Sequence, residues 1–128
     1  MPELVLEYTH NIIEKDSLSD LFGNLHKVIA EMLPANLSGC ISRAIEIDNY
    51  YIGDGDSNNA FVSLQLSVKE GRSQETLEKL AQRMKEIVDK HFFTSSQKRN
   101  LKITLEVREM KVYLYWNNGM IGGSDLNV

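Results

Sequence analysis

Apolar and polar residues alternate from Glu3 to Tyr8, with Leu4, Leu6 and Tyr8 on one side and Val5 and Glu7 interleaved, the period of a β-strand. The period then changes. Leu18, Leu21, Phe22, Leu25, Val28, Ile29 and Met32 recur at steps of three and four and predict an amphipathic helix. Ser17 stands at its start as a candidate cap with Asp20 three residues on, and Pro34, which lacks an N–H, stops it. Cys40 to Ile47 alternates again, so Ile41, Arg43, Ile45 and Ile47 share one strand face. Asp48 to Asn59, with Gly53, Asp54-Gly55 and Asn58-Asn59, has the composition of turns.

A second set follows. Phe61 to Val68 predicts a strand, and Ser73 caps a helix whose apolar positions are Leu77, Leu80, Ala81, Met84, Ile87, Val88 and, closing the stripe, His91. Shifting the apolar positions of the first helix by fifty-nine lands on all of these. Leu101 to Val107 is the next strand. Strand, helix and strand thus recur in the same order, which points to a β-α-β unit written twice. Right-handed crossovers place both helices on the same face of one sheet. The expected fold is therefore α+β, a two-layer sandwich with a four-stranded sheet. Val112 to Trp116 is apolar on both sides and reads as a fifth short strand, which either packs on its own sheet edge or, with the uncovered sheet face, meets another subunit.

The length of 128 residues fits one domain, expected over residues 1–118, with residues 119–128 and their Gly122-Gly123 pair as a flexible tail. At 42% hydrophobic and 25% charged the chain can build a core, which sets disorder aside. A net charge of −4 argues against nucleic acid as partner. No apolar run approaches the roughly 20 residues of a membrane span, and the start lacks the features of a signal peptide. Cys40, the only cysteine, cannot form an intramolecular disulfide, so a cytoplasmic setting is expected.

Metal chemistry finds little support. Asp54, Asp56 and Asn58 alternate like the start of a calcium loop, but Asn59 and Gln65 occupy the places of its glycine and its glutamate, so a polar turn is expected. His10, His26 and His91 lack zinc spacing. Nothing local activates Cys40, which reads as a small buried residue. Gly71-Arg72-Ser73 suits either an anion site or a plain helix cap. The remaining candidate is Pro2. Removal of Met1 before a small residue would expose its secondary amine. A free α-amino group titrates at roughly 7.7–8.0. Apolar enclosure lowers that further, giving a general base for neutral pH.

These landmarks resemble the tautomerase superfamily, and within it the 5-carboxymethyl-2-hydroxymuconate isomerases. The likeness rests on Met1-Pro2, Gly39-Cys40-Ile41-Ser42-Arg43, Asp54-Gly55, Ala60-Phe61-Val62, Gly71-Arg72-Ser73-Gln74-Glu75, His91-Phe92 and Asn117-Asn118. The resemblance implies a homotrimeric sandwich without a cofactor, acting in aromatic-compound breakdown on a small-molecule carboxylate like 5-carboxymethyl-2-hydroxymuconate. Pro2 matches the family's proton-shuttling proline, and Arg72 one of its carboxylate-binding arginines. The family pattern has another arginine where this chain has Ile41, and Arg43 on the same strand face is the candidate to replace it. Ile41 leaves two alternatives open: a less charged enol substrate, or a trimeric binding homologue without catalysis.

Overall fold

The computed structural model describes residues 2–118. Strand β1 (Glu3–Thr9) leads through a 3-10 turn at Lys15–Ser17 into helix α1 (Leu18–Met32), and a second 3-10 turn at Leu37–Gly39 opens strand β2 (Ile41–Ile47). Strand β3 (Asn59–Lys69), helix α2 (Gln74–His91), a short helix α3 (Phe93–Lys98) and strand β4 (Asn100–Met110) complete the sheet, followed by a 3-10 turn at Val112–Leu114.

The sheet order is β2-β1-β3-β4. β1 runs parallel to β2 and β3 parallel to β4, while β1 and β3 pair antiparallel at the centre. Two β-α-β units therefore meet about a pseudo-twofold axis between β1 and β3, and the expected two-layer α+β sandwich is the observed fold. Leu4 and Leu6 of β1, and Val62, Leu64 and Leu66 of β3, point to the helices and are essentially inaccessible, as are Leu21, Leu25 and Ile29 of α1 and Leu80, Met84 and Val88 of α2. Each such fully buried side chain contributes about 1.5–3 kcal/mol.

The opposite sheet face carries Val5 and Glu7 of β1, Ser63 and Gln65 of β3, and Ile41, Arg43 and Ile45 of β2. Ile41 and Ile45 remain 49% and 42% exposed. Arg43 shares a face with the isoleucines, as the alternation predicts.

Three local expectations are corrected, and one element is added. Val112 to Trp116 forms no strand: the Val112 amide donates to the Glu70 carboxylate at 2.9 Å and the Leu114 amide to the Lys111 carbonyl at 3.0 Å, which curls the segment into a turn. Ser17 makes no side-chain cap for α1, because its hydroxyl donates to the Glu14 carbonyl inside the preceding turn, at 3.0 Å. Cys40 is half-buried rather than enclosed. Helix α3 was not predicted. It is held by Ser95, which is fully buried, accepts the Ile13 amide at 2.9 Å and donates its hydroxyl to the Glu14 carboxylate. The expected tail at 119–128 lies outside the described residues.

Candidate functional site

β1 and β2 begin, and β3 and β4 end, at one edge of the sheet, where α1 also ends and α2 begins. Pro2 directly precedes β1 at this edge and is buried. Its carbonyl accepts the Ile41 amide at 3.1 Å, which ties it to the first residue of β2. Extending the strand register by one residue places Pro2 beside Cys40 on one side and Val68 on the other.

Arg72 lies at the same edge, in the link between β3 and α2. Gly71 before it has φ +120°, a backbone conformation that L side chains rarely adopt. The Arg72 guanidinium is half-buried. Nη1 donates to the Lys69 carbonyl at 3.1 Å and Nη2 to the Leu33 carbonyl at 3.5 Å, so it straps the end of β3 to the residue after α1. Of the two readings of Gly71-Arg72-Ser73, the cap is realised: the Ser73 hydroxyl accepts the Thr76 amide at 3.1 Å. No carboxylate of the described residues forms an ion pair with Arg72.

Arg43 is exposed on the open face one turn of the strand pleat beyond Ile41, and its Nη1 lies 3.8 Å from the Glu3 carboxylate. The fold thus brings Pro2 and Arg72 to one sheet edge and sets Arg43 just inside it, with its charge shared with Glu3.

Two neighbours add to this arrangement, of which the sequence pattern had singled out only Cys40. Lys69 ends β3 with its ammonium 5.7 Å from the centre of the Tyr115 ring, a cation over an aromatic face. The period-two sequence Phe61, Ser63, Gln65, Ser67, Lys69 was the available signal that it lies on the open face. Cys40 is the other. Burial pushes its thiol pKa up, with the amino-terminal charge acting in the opposite sense, so the thiol is not poised as a nucleophile.

The candidate calcium loop is closed on itself. Asp54 accepts the Asp56 amide and the Asn59 side-chain amide, both at 3.0 Å, and Asp56 accepts the Asn58 amide at 2.8 Å. Among the described residues no group of three metal-ligating side chains comes together. The histidines are dispersed: His26 pairs with Ser42 at 2.5 Å, His91 with Ser17 at 3.1 Å, and His10 lies 3.3 Å from the Tyr50 hydroxyl. No helix of the described residues is long and apolar enough to cross a membrane.

This arrangement of strands, helices and sheet edge recurs in known proteins. A crystal structure of a 5-carboxymethyl-2-hydroxymuconate isomerase from Deinococcus radiodurans R1 superposes with a TM-score of 0.86 at 26% identity, covering 93% of this chain and 90% of that one. A fused 4-OT protein, described as a symmetric trimer, shares the fold at a TM-score of 0.66 and 16% identity over 92% of this chain and 94% of its own. In sequence, the chain is 28% identical over 110 residues to the 5-carboxymethyl-2-hydroxymuconate Delta-isomerase of Escherichia coli, covering 86% of this chain and 87% of the relative. The profile of the family described as 5-carboxymethyl-2-hydroxymuconate isomerase matches residues 2–123, nearly the whole length and including Pro2, and on that match the chain belongs to this family of isomerases.

Proposed function

We propose that the chain isomerises an unsaturated 2-hydroxy or 2-oxo carboxylic acid, the class that 5-carboxymethyl-2-hydroxymuconate represents, in the breakdown of aromatic compounds, with Pro2 as general base. The observation that carries this reading is the buried position of Pro2 at the head of β1, on the same sheet edge as Arg72. After removal of Met1, the Pro2 nitrogen takes a proton from the conjugated acid. The electron pair shifts through the double bonds, and the prolinium returns the proton at another carbon. Substrate and product differ only in the place of one hydrogen and of the double bonds, so the reading requires no cofactor.

Arg72 holds a substrate carboxylate and Arg43 assists it. A guanidinium matches a carboxylate with two parallel hydrogen bonds and stabilises charge developing on the enolate oxygen. The half-exposed isoleucines of the open face support a homotrimer in which that face is covered by other copies. The trimeric description of the fused 4-OT relative agrees with this.

The test is ketonisation of phenylenolpyruvate and of the 5-carboxymethyl-2-hydroxymuconate dienol by protein whose loss of Met1 is verified by intact mass. Pro2→Ala is expected to lower the rate about 100-fold or more. Processed wild type no faster than Pro2→Ala would refute the base, and sedimentation as a monomer at micromolar concentration would refute the assembly.

A further inference from the structure

The Pro2 nitrogen has a closer cation than Arg43. Continued two steps beyond Glu3 and Ser67, the antiparallel register of β1 and β3 sets Val68 across from Pro2 and Lys69 across from the position on its amino side. The Pro2 nitrogen lies between these two rows. Opposed strand residues stand about 4.5–5.5 Å apart, so the Lys69 backbone lies about one strand spacing from that nitrogen. A molecule approaching a freed Pro2 amine comes from that amino side. Arg43 pairs in register with Val5, which is about 10 Å along the sheet from Pro2.

Lys69 is also uncompensated. It is half-buried, and no carboxylate of the described residues pairs with it. Its ammonium rests 5.7 Å from the centre of the Tyr115 ring, and an aromatic face attracts a cation without accepting a directed bond from each N–H. By contrast, Arg43 lies 3.8 Å from Glu3 and Lys111 3.5 Å from Glu70, each offset by an acid of the chain. Arg72 meets only carbonyls, one of them that of Lys69 itself at 3.1 Å, so its guanidinium and the Lys69 stem meet at the same stretch of backbone.

We propose that Lys69 is a ligand-holding residue of this site: its ammonium takes one anionic oxygen of the molecule facing Pro2 while Arg72 holds another, and Tyr115 keeps the ammonium at the edge. Two cations on one strand end bind a pair of anionic groups more tightly than either does alone. The four-carbon stem lets the ammonium swing from the ring to the ligand. The inference rests on the reading of Pro2 as the reacting position and adds a residue to it.

Calorimetry with 2-oxoglutarate, which carries two carboxylates, tests the clamp apart from turnover on wild type verified to lack Met1, Lys69→Met, Lys69→Arg and Lys111→Met. Arg72 bonds the backbone carbonyl of residue 69, so Lys69→Met keeps that strap. Loss of a charge-assisted bond predicts binding weakened about tenfold or more in Lys69→Met, and near wild type in Lys69→Arg and Lys111→Met. With the 5-carboxymethyl-2-hydroxymuconate dienol as substrate, Lys69→Met should raise KM by a similar factor and change kcat less. Unchanged binding in Lys69→Met, an equal loss in Lys69→Arg or Lys111→Met, or no binding to wild type at millimolar concentration overturns the proposal. If Lys69→Met alone weakens binding but processed wild type ketonises the dienol no faster than Pro2→Ala, the role of Lys69 stands and the base assignment falls.

Discussion

Nε2 of His91, the last residue of α2, lies 3.1 Å from the hydroxyl of Ser17, the residue before α1, and so clasps the two helices at the end of the sandwich opposite Pro2. Burial holds the His91 pKa below the usual histidine value, against the opposing pull of Glu14 and Asp20, and burial does the same to His26 beside Ser42.

Both imidazoles therefore bind a proton less readily in the folded chain than in the unfolded one, whose histidines titrate near about 6.5. Their contribution is complete above that pH and is lost as pH falls through the lower folded values. Urea midpoints measured from pH 8 to pH 5 should decline toward acid. His91→Gln and His26→Gln should each flatten the decline, and the double variant should flatten it most.

Leu64 is fully buried in β3, a central strand, whereas Leu105 of the edge strand β4 is only half-buried beside α2. Leu64→Ala should cost about 2–5 kcal/mol in denaturant unfolding, and Leu105→Ala distinctly less.

Two glycines should respond in opposite directions to the same change. Gly23 lies within α1 with open space where a Cβ would project, so Gly23→Ala should stabilise by about 0.5–1 kcal/mol. Gly55 has φ +82° and its Cβ would come within 2.6 Å of the Tyr51 ring, so Gly55→Ala should destabilise by about 1 kcal/mol or more. Thermal unfolding of the two variants reads both signs.

Ser95→Ala removes the acceptor of the Ile13 amide and the donor to Glu14 in a fully buried position. A loss of about 1–3 kcal/mol is expected. Hydrogen exchange at the Ile13 amide should rise with it, because that amide loses its partner.

Periodicity made the sandwich legible because each element buries one face: Leu4 and Leu6, Val62 and Leu64, and the two helical stripes repeat at the spacing their backbones impose. It was silent on α3, since Phe93–Lys98 has no apolar stripe and is held by one buried hydroxyl to a residue 81 positions away. The pattern misled at Val112 to Trp116, where a run apolar on both sides has strand propensity but no neighbouring strand, and the Glu70 carboxylate bends the chain instead. Pro2 and Arg72 stood out as candidates by chemistry and resemblance, and the fold brings both to the same end of the strands. The Glu3 carboxylate beside Arg43 and the Lys69 ammonium over Tyr115 were not, because both are pairings across the fold or between chain ends that spacing does not encode.

The join between Pro2 and Ile41 is made by backbone atoms alone. Every residue type except proline supplies the same N–H, so position 41 can exchange its side chain while the anchor on Pro2 persists. Arg72 has no such freedom, because its side chain itself straps Leu33 to Lys69. The anchor of Pro2 on β2 is thus indifferent to the side chain at residue 41, whereas the strap between Leu33 and Lys69 depends on the side chain at residue 72.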